Sequence, residues 1–267
     1  MKVNVRQNIQ PKVLLDSAFL GQGLPMISQE ELIDKIGGFP DVGVVWLAAG
    51  EIQVGTIADF LACPKDESWH RLDRAKVGSG YNGYCTGSVT MDVARELGVG
   101  FVATAGIGGV DWDGKVCSDI PALADYPGLL VATAPKDILD LRATVAAWRK
   151  HKVPVYGWRT DRVNGFLFSL QQETLDGVYK NETRGLLLCP IKHELRLKDQ
   201  NILEACRKIG LETPAEQSPH PLVNAYLAEV TDGLASRLQL DALLNNITIA
   251  LQLEERCNHD NDAYSTC

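Results

Sequence analysis

Short apolar runs alternate along this chain with longer segments of helical period, and that alternation leaves few folds open. Residues 13–15, 42–47, 99–104, 128–133, 153–156 and 186–189 are apolar over nearly their whole length, as strands covered on both faces are. Between and after them, helices are predicted at 29–35, 85–97, 136–150, 198–209, 221–230 and 234–253. Within 136–150, Ile138, Leu141, Val145 and Trp148 fall at steps that place them on one helical face, which assigns them to the core. Strands alternating with helices predict an α/β protein with a mostly parallel sheet.

The 267 residues correspond to between one and two domains at ~150 residues each. No repeat or low-complexity linker interrupts the pattern, so a single domain over 1–257 is expected, followed by a polar, frayed tail at 258–267. The Asp and Asn residues of that tail lack the glycine and terminal glutamate of a calcium loop. A net charge of −8 gives no overall attraction for nucleic acid, and no cluster of Lys and Arg supplies one locally. The first residues lead into polar sequence and no apolar stretch is long enough to span a bilayer. A cytoplasmic protein without membrane or nucleic-acid partners is expected. The seven cysteines are odd in number, widely spaced and without a CxxC, which favours reduced core thiols over zinc or disulfides.

Four segments carry candidate chemistry. Thr104-Ala105-Gly106-Ile107-Gly108-Gly109-Val110 follows a predicted strand, where it is either a plain tight turn or a cradle of free amides around an anion. It is not a dinucleotide fingerprint, because Asp111 stands where the last glycine is needed. In the second segment, Pro135 suits the first turn of a helix and Lys136 follows it. Lys136 is then either a solvated surface lysine or, at the positive end of the helix dipole and partly desolvated, a nucleophilic amine able to form a Schiff base. The acidic stretch from Asp111 to Asp119 is either a solvated loop or a site for a hard cation. Asp16 closes the first predicted strand, and ligand crevices in α/β sheets lie at such strand ends.

Taken together, these segments resemble the pseudouridine-5′-phosphate glycosidase family, which includes the indigoidine synthase A-like proteins. The glycine turn is similar to that family's TGGIGGV, Ala134-Pro135-Lys136-Asp137-Ile138-Leu139-Asp140-Leu141 to its GAKSILDL, and Val153-Pro154-Val155-Tyr156-Gly157-Trp158-Arg159-Thr160 to its VPVIGYQT. Leu227-Ala228-Glu229-Val230-Thr231-Asp232-Gly233 and Asn245-Asn246 resemble its AELTGG and NN, so the likeness runs from about Asp16 to Leu253. The resemblance implies a three-layer α/β/α sandwich around a mixed, mostly parallel sheet. It implies reversible cleavage of the C–C bond between ribose C1′ and uracil, with Lys136 forming the Schiff base and Asp119 holding a divalent metal, manganese, largely through water. It further implies that Thr104 lines the phosphate pocket, with Gly106 of the same turn expected to bind substrate, and that the assembly is a homotrimer acting on a small sugar or C-nucleoside substrate. Asp16 stands where the family has the glutamate of LEST, one methylene shorter but still a carboxyl acid.

Several positions depart from the family. Its lysine before SRRDL falls near Glu67 or Ser68, its histidine after GGV is Asp111, its SAD is Pro121-Ala122-Leu123, and the asparagine of SNI is Gln239. A carboxylate close to a bound phosphate costs about 4 kcal/mol per pair of unit charges at an effective dielectric of 20, unless Lys115, Arg71 or another cation compensates. The expectation is therefore a substrate other than pseudouridine 5′-phosphate, with the 5′-phosphate in question. Two alternatives accompany the enzyme reading: a C-glycosylating synthase, which is the same catalyst run backwards, and a degenerate member that only binds a sugar or nucleobase. The acidity of Lys136 separates catalysis from mere binding.

Overall fold

The structure is a computed structural model that describes residues 2–78, 80–214 and 217–264, with side chains placed through Cys257. Nine strands line up in the order Val3–Val5, Glu51–Gly55, Val42–Ala48, Val13–Asp16, Phe101–Ala103, Leu129–Ala132, Gly185–Leu188, Val155–Gly157 and Gly177–Val178. His70–Leu72 and Gly83–Cys85 join the same sheet off this row. Within this sheet, among the described residues, Val42–Ala48 pairs antiparallel with Glu51–Gly55 and with Gly83–Cys85, and the remaining pairings are parallel. The sheet is thus mixed and mostly parallel, as expected, and helices cover both of its faces.

The central strands explain why the middle of the sheet is inaccessible to water. Val13, Leu14, Val102, Leu129, Leu130, Val131, Leu186 and Leu187 are fully buried, which is why their sequence shows apolar runs rather than alternation. The helix Leu234–Tyr264 lies against Val13–Asp16, Phe101–Ala103 and Leu129–Ala132, while Gly87–Leu97 packs on the first two of these and on Asp119–Asp125. Ile138, Leu141, Val145 and Trp148 are all buried, so the predicted apolar stripe is core. The described cysteines form no disulfide, and Cys85, Cys189 and Cys206 are buried thiols. No described helix is long and apolar enough to cross a membrane.

Register decides where the strand ends meet. Leu15 pairs with Ala103, Ala103 with Val131, and Leu187 with Val131. Asp16, Thr104 and Thr133 therefore emerge side by side at the carboxyl edge of the sheet, the place where open α/β sheets bind ligands.

Two expectations about elements are corrected. The helix predicted from Lys136 begins at Leu141, capped by the Asp140 carboxylate, which accepts from Ala143 N at 2.9 Å. Ala134–Pro135 instead form a short parallel pair with Gly106–Ile107. Lys136 N donates to the Ile107 carbonyl at 3.2 Å and Asp140 N to that of Val110 at 2.9 Å, so the segment follows the glycine turn and cannot close helical bonds. The long final helix continues in backbone through Tyr264, because no Gly or Pro follows Gly233 to end it. The expected frayed tail is therefore helical from 258 to 264, and residues 265–267 lie outside the described residues. The edge pairing of Val3–Val5 with Glu51–Gly55 had no strong sequence signal, being short and half polar.

Asn246 ties this edge to the long helix. Its fully buried side-chain amide donates to the Thr104 carbonyl at 2.8 Å and to the Thr133 hydroxyl at 3.0 Å. Asn246→Leu keeps the volume and leaves that carbonyl without its donor. The variant is expected to lose about 1–3 kcal/mol of stability, read as a lowered thermal midpoint; an unchanged midpoint would show that the clamp carries no load.

Candidate functional site

The glycine turn and the lysine segment are laid against each other by the Gly106–Ile107 and Ala134–Pro135 pair. A Cβ on Gly106 would lie 2.8 Å from Phe166 Cε1 and 3.2 Å from Lys136 Cγ. Only a glycine there lets the Lys136 stem and the Phe166 ring close over the turn. Gly108 is equally constrained, since a Cβ would approach Cys117 Sγ at 2.5 Å and Asp119 Oδ2 at 2.8 Å. The turn is thus a packing device, and Gly106 shapes the space around the lysine.

Asp119 opens the helix Asp119–Asp125 and turns inward. Its Oδ1 accepts from Ser88 N at 2.9 Å and its Oδ2 from Gly108 N at 3.0 Å. One carboxylate thereby fixes both the glycine turn and the start of the helix Gly87–Leu97. The acidic stretch before it divides: Asp113 is exposed, and Asp111 accepts from Asp113 N at 3.2 Å and Lys115 N at 2.8 Å within its own turn. Of the three carboxylates in this stretch, Asp119 is the one that joins the site, with Cys117 beside it.

Asp16 is buried and caps the helix Ser17–Gln22, where its Oδ2 accepts from Phe19 N at 3.2 Å. Burial raises its pKa above the usual carboxylate value and Asp119 adds to the rise, against a hydrogen bond with Thr104 and the charges of Arg71 and Lys136. Thr104 is itself buried. Arg71, on the strand His70–Leu72, is set among Asp16, Asp119 and Asp73, with its Nη1 reaching the Ala18 carbonyl at 3.5 Å.

Lys136 is the electrostatic centre of this group. Burial, first, and the Arg71 guanidinium, second, bring its pKa down to about 8, while Asp16 and Asp119 pull the other way. The cause is desolvation beside a second cation, not the helix dipole, because no helix begins at Lys136. At neutral pH a sizeable fraction of the amine is unprotonated and nucleophilic.

The structure thus brings together Asp16, Thr104, Gly106, Asp119 and Lys136, which were separate in the sequence. It also places there groups that sequence reading had left without a role. His220 and Gln239 line a cleft with Lys136, Asp137 and Phe166. Asp137 accepts from the amides of Phe166, Leu167 and Phe168 at 2.7, 2.7 and 3.2 Å, and so holds that wall in place. Its neighbour Lys136 was the only pointer to it. Glu67 is exposed. Asp111 is held in its own turn, and neither it nor Glu67 is among the residues lining this cleft.

A sheet-edge site that pairs a desolvated amine with a buried carboxyl acid defines an α/β enzyme equipped for carbonyl chemistry. Residues 4–203 match the family described as Indigoidine synthase A like protein, and the chain belongs to that family. A pseudouridine-5′-phosphate glycosidase of Thermus thermophilus is 33% identical over 171 residues, covering 59% of each chain. One of Thermotoga petrophila is 27% identical over 268 residues, 90% of this chain and 93% of that one. Among solved structures, an indigoidine synthase A-like protein of Thermotoga maritima superposes with a TM-score of 0.77 at 19% identity, covering 95% of both chains. The prealnumycin C-glycosynthase AlnA, in complex with ribulose 5-phosphate, gives 0.75 at 22% identity over 95% of this chain and 96% of that one. These two likenesses show the shared fold.

Amine acylation of Lys136, followed by peptide mass across pH, is expected to rise with a midpoint near 8, well below the ~10.4 of an ordinary lysine. Arg71→Gln removes a neighbouring cation and should raise the midpoint; Asp16→Asn removes an anion and should lower it. A wild-type midpoint near 10.4 would mark Lys136 as an ordinary solvated lysine.

Proposed function

We propose that the protein cleaves, or forms, a C–C glycosidic bond between a ribosyl-type sugar and a nucleobase-like group through a Schiff base on Lys136. The observation that carries this reading is the lowered pKa of about 8 on the lysine that occupies the family's motif position. A lysine kept only for binding a ligand has no need of desolvation. The full-length likeness to pseudouridine-5′-phosphate glycosidases supports the substrate class.

A C–C glycosidic bond offers no oxygen for an acid to protonate, so the two-carboxylate route of O-glycosidases does not serve. The Lys136 amine bonds to C1′ as the ring C–O bond opens, and the proton the nitrogen sheds goes to the released ring oxygen. The nitrogen lone pair then forms the iminium while the C1′–C bond breaks, and the pair from that bond takes a proton on the base carbon. Water releases the sugar aldehyde and returns the amine. Asp16, kept protonated to higher pH by burial, is the proton donor to the departing carbon. Run backwards, the same groups perform the synthase reaction.

Asp119 is the residue suited to a divalent metal, manganese in our reading. Each of its oxygens accepts one amide and keeps a lone pair for the water shell of a cation. A single carboxylate with one free lone pair on each oxygen suits a cation held largely through water. When bound, it would supply positive charge toward the sugar or its phosphate. With Glu67 exposed and Asp111 held in its own turn, this reading takes a sugar 5-phosphate as the substrate. A homotrimer in the cytoplasm completes the reading.

Borohydride trapping with manganese and equal ribose and ribose 5-phosphate tests it. An intact-mass adduct of the phosphorylated sugar is expected in the wild type and none in Lys136→Ala. Asp16→Asn should keep the adduct yet slow uracil release from pseudouridine 5′-phosphate by about 10²–10⁴-fold. A wild type that traps neither sugar would defeat the Schiff-base reading.

A further inference from the structure

Resting on that reading and deepening it, we propose that His220 is the proton carrier for Schiff-base formation at Lys136. His220 and Lys136 line one cleft, which Phe166, Asn224 and Gln239 help to enclose. The helix His220–Val230 begins at His220 itself, with Pro219 before it, and this start of the helix contributes His220 to the lining that holds Lys136. Lys136 and Arg71 are the cations that act on it, and with burial they hold its pKa well below the ordinary histidine value. The positive end of its own helix works in the same direction. His220 is therefore a neutral imidazole, with one nitrogen free of protons to serve as an acceptor.

The other titratable groups lining the cleft do not offer this service. Asp137 has both carboxylate oxygens engaged by three backbone amides. The Cys206 thiol is pushed up to about 12 by burial, with Asp137 adding to the rise. Asp111, at the position where the family carries a histidine, faces its own turn. The imidazole near the lysine thus comes from a different element of the fold.

The step balances as follows. His220 takes one proton from the Lys136 ammonium, and the freed amine bonds to the carbonyl carbon. The second nitrogen proton passes to the adduct oxygen. His220 then returns its proton to that oxygen as the C–O bond breaks and water departs. The sum is ammonium plus aldehyde giving iminium plus water, with the imidazole restored. Without a carrier, the proton must travel through solvent into a cleft that largely excludes it.

The test is the rate of borohydride-trapped adduct on ribose 5-phosphate for the wild type, His220→Gln and His220→Ala, with thermal midpoints measured alongside. Both variants are expected to trap about 10²-fold more slowly, on Lys136 and with the final adduct mass unchanged. Added imidazole should restore much of the rate to His220→Ala and none to His220→Gln, whose side chain fills the space. Variants that trap as fast as a trapping wild type, or a slow His220→Ala that imidazole does not rescue while its midpoint is unchanged, would overturn the inference and leave the Lys136 chemistry standing. A wild type that traps nothing overturns both.

Discussion

Four charges enclosed at one edge of the sheet set the terms for the rest of the molecule. Burial displaces the pKa of Asp16 upward and those of Arg71 and Lys136 downward, while the charges of Asp16, Arg71, Asp119 and Lys136 act on one another, mostly against those shifts. Removing such groups from water is costly unless they are paired, so none can be lost singly without stranding a partner. The set is not a plain pair of salt bridges, however. Lys136 is lowered despite its two carboxylates, which means that burial and Arg71 together outweigh them. A balance of this kind keeps the lysine partly neutral while the cluster as a whole stays near zero charge.

Holding the balance requires backbone that cannot drift. The parallel register puts Asp16 beside Thr104, and Asn246 binds the Thr104 carbonyl and the Thr133 hydroxyl from the helix side. On the other side, Asp119 ties the glycine turn to the helix Gly87–Leu97. Thr144 adds a third tether, accepting from Val110 N at 2.9 Å, and its hydroxyl would meet any Cβ on Gly109 at 2.3 Å. The glycines of the turn are therefore required by close packing from three elements. This is a stronger constraint than the flexible, ligand-wrapping loop their composition alone suggests.

Much of this arrangement could be read from the sequence, and the misses share a cause. The buried central strands and the core face ending in Trp148 announced themselves because burial on both faces, or on one helical stripe, leaves a periodic trace. Lys136, Asp119, Thr104 and Asp16 stood out through motif likeness and their places at strand ends. The start of the helix at Leu141 was missed because propensity favoured a helix from Pro135, whereas hydrogen bonds to Ile107 and Val110 across the turn overrode it. Glu67 and Asp111 were weighed as repulsive charges because a sequence gives no direction to a side chain. His220 and Arg71 reach the site from stretches of chain far from Lys136, and no spacing rule connects them to it, although Arg71 was named as a compensating cation.

Asp137 shows how a change from the family pattern can be absorbed without disturbing the reaction centre. The family motif it resembles has a serine after the lysine, and a carboxylate in its place would be expected to raise the lysine's pKa. The largest charge effects on Lys136 come from Arg71, Asp16 and Asp119 rather than from Asp137. Its oxygens accept three amides at 2.7–3.2 Å, and Arg196 faces it from the other side, itself held by Asn164 and the Phe168 carbonyl. Burial still lifts its pKa to about 6, so the neutralisation is local and incomplete. The carboxylate's charge goes into fixing the loop at 164–168, whose Phe166 ring packs over Gly106 and the Lys136 stem. A serine hydroxyl could not bind three amides at once, so this chain holds one wall of its cleft by a charged anchor where its relatives' motif offers a neutral one. The lysine's environment is preserved because the added charge is answered outside the cluster that tunes it.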